Sequence, residues 1–99
     1  MSSTGQKVRM LNNGLFNVQF KLNIGSTSTA YTDYFMQYQS GSIDLGTDTY
    51  LPGKGFTVSG HSEAGVTRHY DGLTFQPDGA TIELVASGTV DNWTISLAA

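Results

Sequence analysis

The 99-residue sequence has no cysteine, and only 13% of its residues are charged. The absence of cysteine excludes disulfides, thiolate chemistry and zinc–sulfur sites. The low charge is unusual, since charged residues make up about 25% of an ordinary globular protein. The net charge is −3, and the five basic residues form no run or stripe: Lys7, Arg9, Lys21, Lys54 and Arg68. We therefore expect neither nucleic-acid binding nor electrostatic attraction to anionic lipid.

Long apolar runs are also missing. No run approaches the ~18 residues of a membrane-spanning helix, so we expect no transmembrane segment. The first residues lack the charged and then apolar pattern of a secretory signal, which predicts a protein that is cytoplasmic or released without a classical signal. Residues 1–6 are predicted to be a flexible N-terminal segment. No segment sustains a helical period, so we expect essentially no helix.

What the chain does contain is a series of short segments in which apolar and polar residues alternate, the period of a β-strand with one wet face. These segments recur at a spacing of roughly ten residues, with turn-forming residues between them. The sequence predicts a single domain over residues 1–99, an antiparallel β-sandwich of jelly-roll or immunoglobulin-like type with about seven or eight short strands. The predicted core consists of Phe16, Val18, Phe20, Leu22, Ile24, Val58, Ile82, Leu84, Trp93, Ile95 and Leu97.

Three glycines predict local features of the strands. Gly14 is predicted to be left-handed in a three-residue loop that pairs segment 8–10 with segment 16–18, because this register keeps both apolar sets on one face. Gly65 is predicted to take the same conformation in a second hairpin loop. Gly72 lies where the apolar phase changes, which predicts a β-bulge.

The second hairpin gathers the polar residues with the most chemical character. Its register would place His61 opposite Thr67 and His69 opposite Ser59, with the two histidines diagonal neighbours about 7–8 Å apart at the backbone. Imidazole and carboxylate groups bind zinc, so His61, His69 and Glu63 are a candidate metal site. The competing interpretation, which we favour, is a solvated polar face that happens to hold both histidines. No cofactor is expected.

A hydrolytic triad is not expected. Ser62 lies between His61 and Glu63 in sequence, but adjacent residues of a strand point to opposite faces. Ser59 and His69 would be better placed, yet nothing in the sequence supplies a strained nucleophile turn or an oxyanion site. We therefore expect a protein that is not an enzyme, with no catalytic residues.

Aromatic residues are concentrated in one part of the chain. The candidate binding residues are Tyr31, Tyr34, Phe35, Tyr38 and Tyr50. Phe35 would point away from Tyr34 and Met36 in a strand over 34–38, so that strand is either covered on both faces or offers an apolar face to a partner. Exposed tyrosines suit stacking on sugars or contact with a membrane interface. The alternative is that about half of these rings are core.

The stretch from Val8 to Leu22, with Asn12-Asn13-Gly14 between two predicted strands, resembles the first hairpin of the small β-sandwich cytolysins, the aegerolysins and actinoporins. The acidic, cysteine-free composition agrees with this resemblance, which implies a β-sandwich of toxin-like type. Those families are longer and richer in tryptophan than this chain, so none of their lipid-recognition residues is assigned here.

These observations predict a non-catalytic recognition module for a glycan or membrane surface, lectin-like or toxin-like, with its contact residues around Thr29 to Tyr38. The rival hypothesis is a structural or self-assembling subunit, such as a capsid, fibre, inclusion or ring-forming oligomer. Low charge and an apolar strand face would both favour such self-association.

Overall fold

Residues 3–98, the part of the chain that the computed structural model describes, form nine strands and no helix. The strands are β1 (Thr4–Gly5), β2 (Lys7–Asn12), β3 (Val18–Ile24), β4 (Thr27–Ser28), β5 (Ser40–Asp44), β6 (Gly55–Ser62), β7 (Thr67–Phe75), β8 (Thr81–Thr89) and β9 (Asn92–Leu97). The first sheet has the order β1-β7-β6-β3-β4, and the second has the order β5-β2-β8-β9. The predicted all-β sandwich is confirmed. In the described range nothing has the length and apolarity of a membrane-crossing helix.

The core lies between the two sheets, and the alternation along the strands decides which residues enter it. In β3 every second residue is buried, from Val18 to Ile24, while the polar residues between them stay partly exposed. Nine of the eleven predicted core residues are buried, and Ile95 and Leu97 are half-buried because β9 is an edge strand. Eight further buried residues complete the core: Val8, Met10, Phe35, Leu45, Phe56, Leu73, Phe75 and Ala86.

The predicted pairing of segments 8–10 and 16–18 is wrong. Strand β2 pairs with β5 and β8 in the second sheet, whereas β3 pairs with β6 and β4 in the first. Both apolar sets still face the core, but from opposite sheets. Gly14 is not left-handed; it is glycine because a Cβ there would collide with the ring of Phe16. The hairpin that resembled aegerolysins and actinoporins is therefore absent.

Two of the strand pairings are parallel, which makes both sheets mixed rather than wholly antiparallel. Strand β2 runs parallel to β8, and β1 runs parallel to the end of β7. Thr4–Gly5, which belong to the segment predicted to be flexible, thereby join the first sheet as an edge strand. Residues 1 and 2 of that segment lie outside the described residues.

A buried glutamine connects this N-terminal region to two loops. The Gln6 amide donates to Asp44 Oδ1 at 2.9 Å, and its oxygen accepts from the Gly79 N–H at 3.0 Å. Asp44 Oδ1 also accepts from the Gly46 N–H at 2.8 Å. The hydrogen bond from Gln6 lowers the pKa of Asp44, and the Gly46 N–H and the charge of Lys7 act in the same direction.

The predicted β6–β7 hairpin is confirmed in its register. His61 pairs with Thr67, and Ser59 pairs with His69. Gly65 is left-handed in the connecting loop, with φ 89°. The predicted bulge is also present: the register shifts by one residue beside Gly72, which has φ 84°.

Candidate functional site

Residues 29–39, which we call the tyrosine segment, are fastened to the edge of β3 by two threonines. The Thr29 N–H donates to the Leu22 carbonyl at 2.9 Å, and the Leu22 N–H donates back to Thr29 Oγ1 at 3.0 Å. Thr32 pairs with Phe20 in the same way, at 2.9 and 3.2 Å. Each threonine hydroxyl thus takes the place of the carbonyl that a neighbouring strand would supply. The edge of β3 is satisfied here without a regular strand beside it.

Phe35 is the third anchor of the segment. It exchanges two backbone hydrogen bonds with Val18, at 2.9 and 3.2 Å, and this single bridge replaces the strand that we predicted over 34–38. Its side chain is 5% exposed and lies edge-on to Phe20, with the ring centroids 6.2 Å apart. Gly41 leaves room for this ring, since a Cβ there would lie 2.7 Å from it. Phe35 therefore holds the segment from the core and offers no surface to a ligand.

The large side chains between and after these anchors face solvent. Tyr31, Tyr34, Met36 and Tyr38 are 39%, 46%, 56% and 73% exposed. Only two other large apolar side chains in residues 3–98, Leu15 and Leu51, are comparably exposed. The tyrosine segment is therefore the main concentration of exposed apolar surface in the described part of the chain.

Tyr38 is held in an unfavourable backbone conformation. Its φ is 66°, and no other non-glycine residue between 3 and 98 has a positive φ. The left-handed region costs a bulky residue about 1–2 kcal/mol, and glycine or asparagine usually occupies it. The Tyr38 N–H donates to the Asn12 carbonyl at 2.6 Å, and Gln39 N donates to the Met36 carbonyl at 3.0 Å, which closes the turn. A strained residue whose ring is exposed is a candidate for function.

Asn12 joins the turn to the loop after β2. Its buried amide donates to the carbonyls of Phe16 and, at 3.2 Å, Phe35, while its oxygen accepts from the Gly14 N–H at 2.9 Å. The Asn12 N–H also donates to the Gln39 carbonyl at 2.9 Å. One side chain thereby satisfies three backbone groups, so the turn that carries Tyr38 is part of the rigid framework.

At its other end the tyrosine segment borders the outer, solvent-facing side of the first sheet. The Lys21 ammonium lies 5.1 Å from the centroid of the Tyr31 ring, a cation–π contact. The centroids of Tyr31 and His61 are 6.3 Å apart, with the rings tilted. Tyr31 therefore lies beside the β6–β7 hairpin, at the margin of the polar outer surface of the first sheet.

That polar surface is an ordered hydrogen-bond network. The Asn23 amide donates to Ser59 Oγ at 2.8 Å and to Thr57 Oγ1 at 3.3 Å. Ser28 donates to the Asn23 oxygen at 2.8 Å. Ser59 Oγ also lies 3.0 Å from His69 Nδ1. Amide, hydroxyl and imidazole groups held in this way can give and take hydrogen bonds with a polar, uncharged ligand.

The residues of the predicted metal site have other partners. His61 Nδ1 lies 3.1 Å from Thr67 Oγ1, and His69 Nδ1 bonds to Ser59. The Glu63 oxygens accept from the backbone N–H and the side-chain amide of Asn17, at 3.3 and 3.1 Å. Within residues 3–98 no three histidine, aspartate or glutamate side chains converge as metal ligands, so these three are not assembled into a site.

The two serines weighed as nucleophiles are both buried. Ser62 donates to the Val90 carbonyl at 2.8 Å, which ties the hairpin loop to the second sheet. Ser59 is 5% exposed and accepts from Asn23 besides contacting His69. We interpret the Ser59–His69 pair as part of the polar network.

Tyr50 lies apart from the other predicted binding residues. It is half-buried against Phe75, with ring centroids 6.0 Å apart. It lines a surface cleft of about 360 Å³ at the turn between β3 and β4, and no residue of the tyrosine segment lines that cleft. The structure therefore separates the predicted binding residues into three surface tyrosines, one core phenylalanine and one cleft tyrosine.

Alternation of apolar and polar residues did not reveal the anchoring of the tyrosine segment, because residues 25–32 do not alternate in this way. The sequence does carry a signal there, a repeat of three residues: Thr29-Ala30-Tyr31 is followed by Thr32-Asp33-Tyr34. A period of three is that of an extended polyproline-like chain, whereas strands and α-helices have periods of two and 3.6 residues. It separates the anchoring threonines from the displayed tyrosines.

No family model and no curated protein matches this chain. Solved structures are similar in fold. A protein from Eubacterium rectale has a TM-score of 0.63 at 13% identity, with 93% of this chain and 86% of that chain covered. The 5-hydroxyisourate hydrolase of Klebsiella pneumoniae has a TM-score of 0.60 at 11% identity, with 94% and 99% covered.

A cytolysin also contains a similar domain. Intermedilysin, solved with human CD59, has a TM-score of 0.54 at 12% identity, and the match covers 94% of this chain but only 24% of that one. One sandwich architecture is thus shared by a hydrolase and a toxin domain. Identities this low show the fold alone, because a common fold hosts unrelated functions. The chain is a β-sandwich with structural neighbours among cytolysin domains.

Proposed function

We propose that this protein is a non-catalytic recognition module that binds an uncharged glycan through the tyrosine segment. The observation that carries the proposal is Tyr38, whose ring is 73% exposed although its backbone has φ 66°. Glycine at this position would relieve the strain, and the exposed ring makes little packing contact that could offset it. A tyrosine here is best explained by a contact with something outside the chain.

The side chains of the segment suit a sugar. Tyr31, Tyr34 and Tyr38 offer amphipathic rings that stack on the apolar faces of pyranoses while the hydroxyls form hydrogen bonds. The anchors on β3 hold the backbone in place, so little conformational entropy remains to be lost on binding. Asp33 is the one charged residue between 29 and 39, which favours an uncharged ligand.

The polar face beside Tyr31 supports a glycan over a membrane. Its groups are amides, hydroxyls and imidazoles, such as Asn23 and His69, which match the hydroxyl groups of sugars. The basic group at this margin, Lys21, already contacts the Tyr31 ring.

The test is a glycan array probed with the wild-type protein and two variants. Tyr38→Gly should lose the bound glycans, while its free energy of unfolding should be unchanged or up to about 1 kcal/mol higher because the strain is relieved. Leu15→Ser removes a side chain of equal exposure, 73%, outside the segment and should bind as the wild type does.

Other outcomes would decide against the proposal. Sedimentation with uncharged liposomes, without any glycan signal, would assign the segment to a membrane interface. An apparent mass from light scattering that rises with protein concentration in the wild type, but not in Tyr38→Gly, would assign the segment to self-association, the rival hypothesis. Glycan binding that survives Tyr38→Gly would show that the segment is not the contact surface.

A further inference from the structure

The cleft that contains Tyr50 is a separate surface with its own chemistry. It lies where the β3–β4 turn meets the loop before β6, and it measures about 360 Å³. It is lined by Ile24, Gly25, Ser26, Thr27, Thr49, Tyr50, Leu51 and Lys54. This volume is at the lower end of the range for small-molecule sites, about 300–1,000 Å³.

Lys54 is the one basic side chain with no partner among residues 3–98. The other four each have one: Arg9 pairs with Glu83 at 3.3 Å, Lys21 lies over Tyr31, Arg68 Nε donates to the Trp93 carbonyl at 2.8 Å, and Lys7 acts electrostatically on Asp44. An ammonium group at the wall of a cleft without an internal counter-charge favours an anion there.

The cleft is built on fixed elements. Lys54 precedes β6 directly, and its backbone carbonyl accepts from the Phe75 N–H at 2.8 Å. Its side chain crosses the β3–β4 turn, where a Cβ on Gly25 would lie 3.3 Å from Lys54 Cε and 3.6 Å from Nζ. Tyr50 is held edge-on against Phe75. The backbone of Lys54 and the Tyr50 ring are therefore fixed on neighbouring elements, and the Lys54 ammonium lies beside the β3–β4 turn.

We propose that this cleft binds a small organic anion with an apolar body. The anionic group contacts the Lys54 ammonium, and the body lies against the Tyr50 ring and Leu51, which is 76% exposed. The hydroxyls of Ser26 and Thr49 stand at the same wall and add hydrogen-bond donors. This site shares no residue with the tyrosine segment, so it is independent of the glycan proposal.

Octanoate is the probe, and octanol is its uncharged match. In a titration followed by amide NMR, octanoate should shift the signals of Gly25, Tyr50 and Lys54 saturably, with a dissociation constant in the micromolar to millimolar range. Octanol should bind about tenfold more weakly or not at all, because its hydroxyl can accept a hydrogen bond from the Lys54 ammonium but carries no opposite charge.

Two variants separate the role of Lys54 from that of net charge. Lys54→Met keeps an apolar stem of similar length and should weaken octanoate binding about tenfold or more. Lys7→Met removes the same charge outside the cleft, in β2, and should bind octanoate as the wild type does. The proposal is overturned if octanoate produces no saturable shift in the millimolar range, if octanol binds equally well, or if Lys54→Met binds like Lys7→Met.

Discussion

Gly60 and Trp93 face each other across the core, so close that a Cβ on Gly60 would lie 2.5 Å from Cη2 of the indole. Gly60 lies in β6 and Trp93 in β9, so this contact joins the two sheets. Trp93 is fully buried, and its Nε1 donates to the Val66 carbonyl at 3.2 Å. The indole therefore cannot move away from an added methyl group without breaking that hydrogen bond.

Gly60→Ala is expected to lower the free energy of unfolding by about 1–3 kcal/mol, the usual cost of overpacking a core. Gly55→Ala is the matched control in the same strand, because a Cβ there meets only the Leu73 carbonyl oxygen at 3.8 Å. That variant should be neutral or slightly stabilising, since alanine restricts the unfolded chain. Urea unfolding measures the stability of both variants. Equal unfolding midpoints would show that the Gly60–Trp93 contact leaves room for a methyl group.

The threonine anchors of the tyrosine segment give a second prediction. Thr32→Val keeps the shape of the side chain but leaves the Phe20 N–H without its acceptor, which should cost about 1–3 kcal/mol. Thr32→Ser keeps the oxygen and should cost less than about 1 kcal/mol. Hydrogen exchange at the Phe20 amide should accelerate in the valine variant only. Unchanged exchange in Thr32→Val would mean that the hydroxyl does not hold the edge of β3.

Asp44 gives a prediction for pH. Its pKa is lowered in the folded protein from an ordinary value of 3.8, mainly by the hydrogen bond from Gln6. The stabilisation is therefore fully present above the unfolded-state pKa and is lost as the pH falls below 3.8 through the lowered folded-state value. Asp44→Asn should flatten the acid side of the stability curve. Asp71→Asn is the control, because it removes an exposed carboxylate that has no hydrogen bond within residues 3–98. An equal flattening in this control would show that the acid sensitivity does not come from Asp44.

The features predicted correctly from the sequence depend on neighbouring residues. The β6–β7 register follows from Gly65 in a short loop, and the bulge follows from Gly72 at a change of apolar phase. In both cases the glycine conformation and the alternation on either side specify one geometry. Most of the core was also predictable, because alternation shows which residues face inward.

The pairing of distant strands was not predictable in this way. Alternation shows that β2 and β3 each have one buried face. That face is buried equally well whether the two strands share one sheet or lie in two opposing sheets. The parallel pairing that places Val8 opposite Ile82 joins residues far apart in sequence and leaves no turn signal. The backbone geometry of the tyrosine segment was not predictable either, because a left-handed tyrosine such as Tyr38 contradicts local preference.

The hydrogen bond from Gly14 to Asn12 has a consequence for the chemical lifetime of the chain. Asn13-Gly14 is a pair prone to deamidation, in which the glycine nitrogen attacks the asparagine side-chain carbonyl, expels ammonia and leaves a succinimide. Here that nitrogen is buried and donates to Asn12 Oδ1 at 2.9 Å. Attack on Asn13 must wait until the loop opens, so the rate at which aged protein accumulates isoaspartate at this position reports how often the Asn12 contacts break.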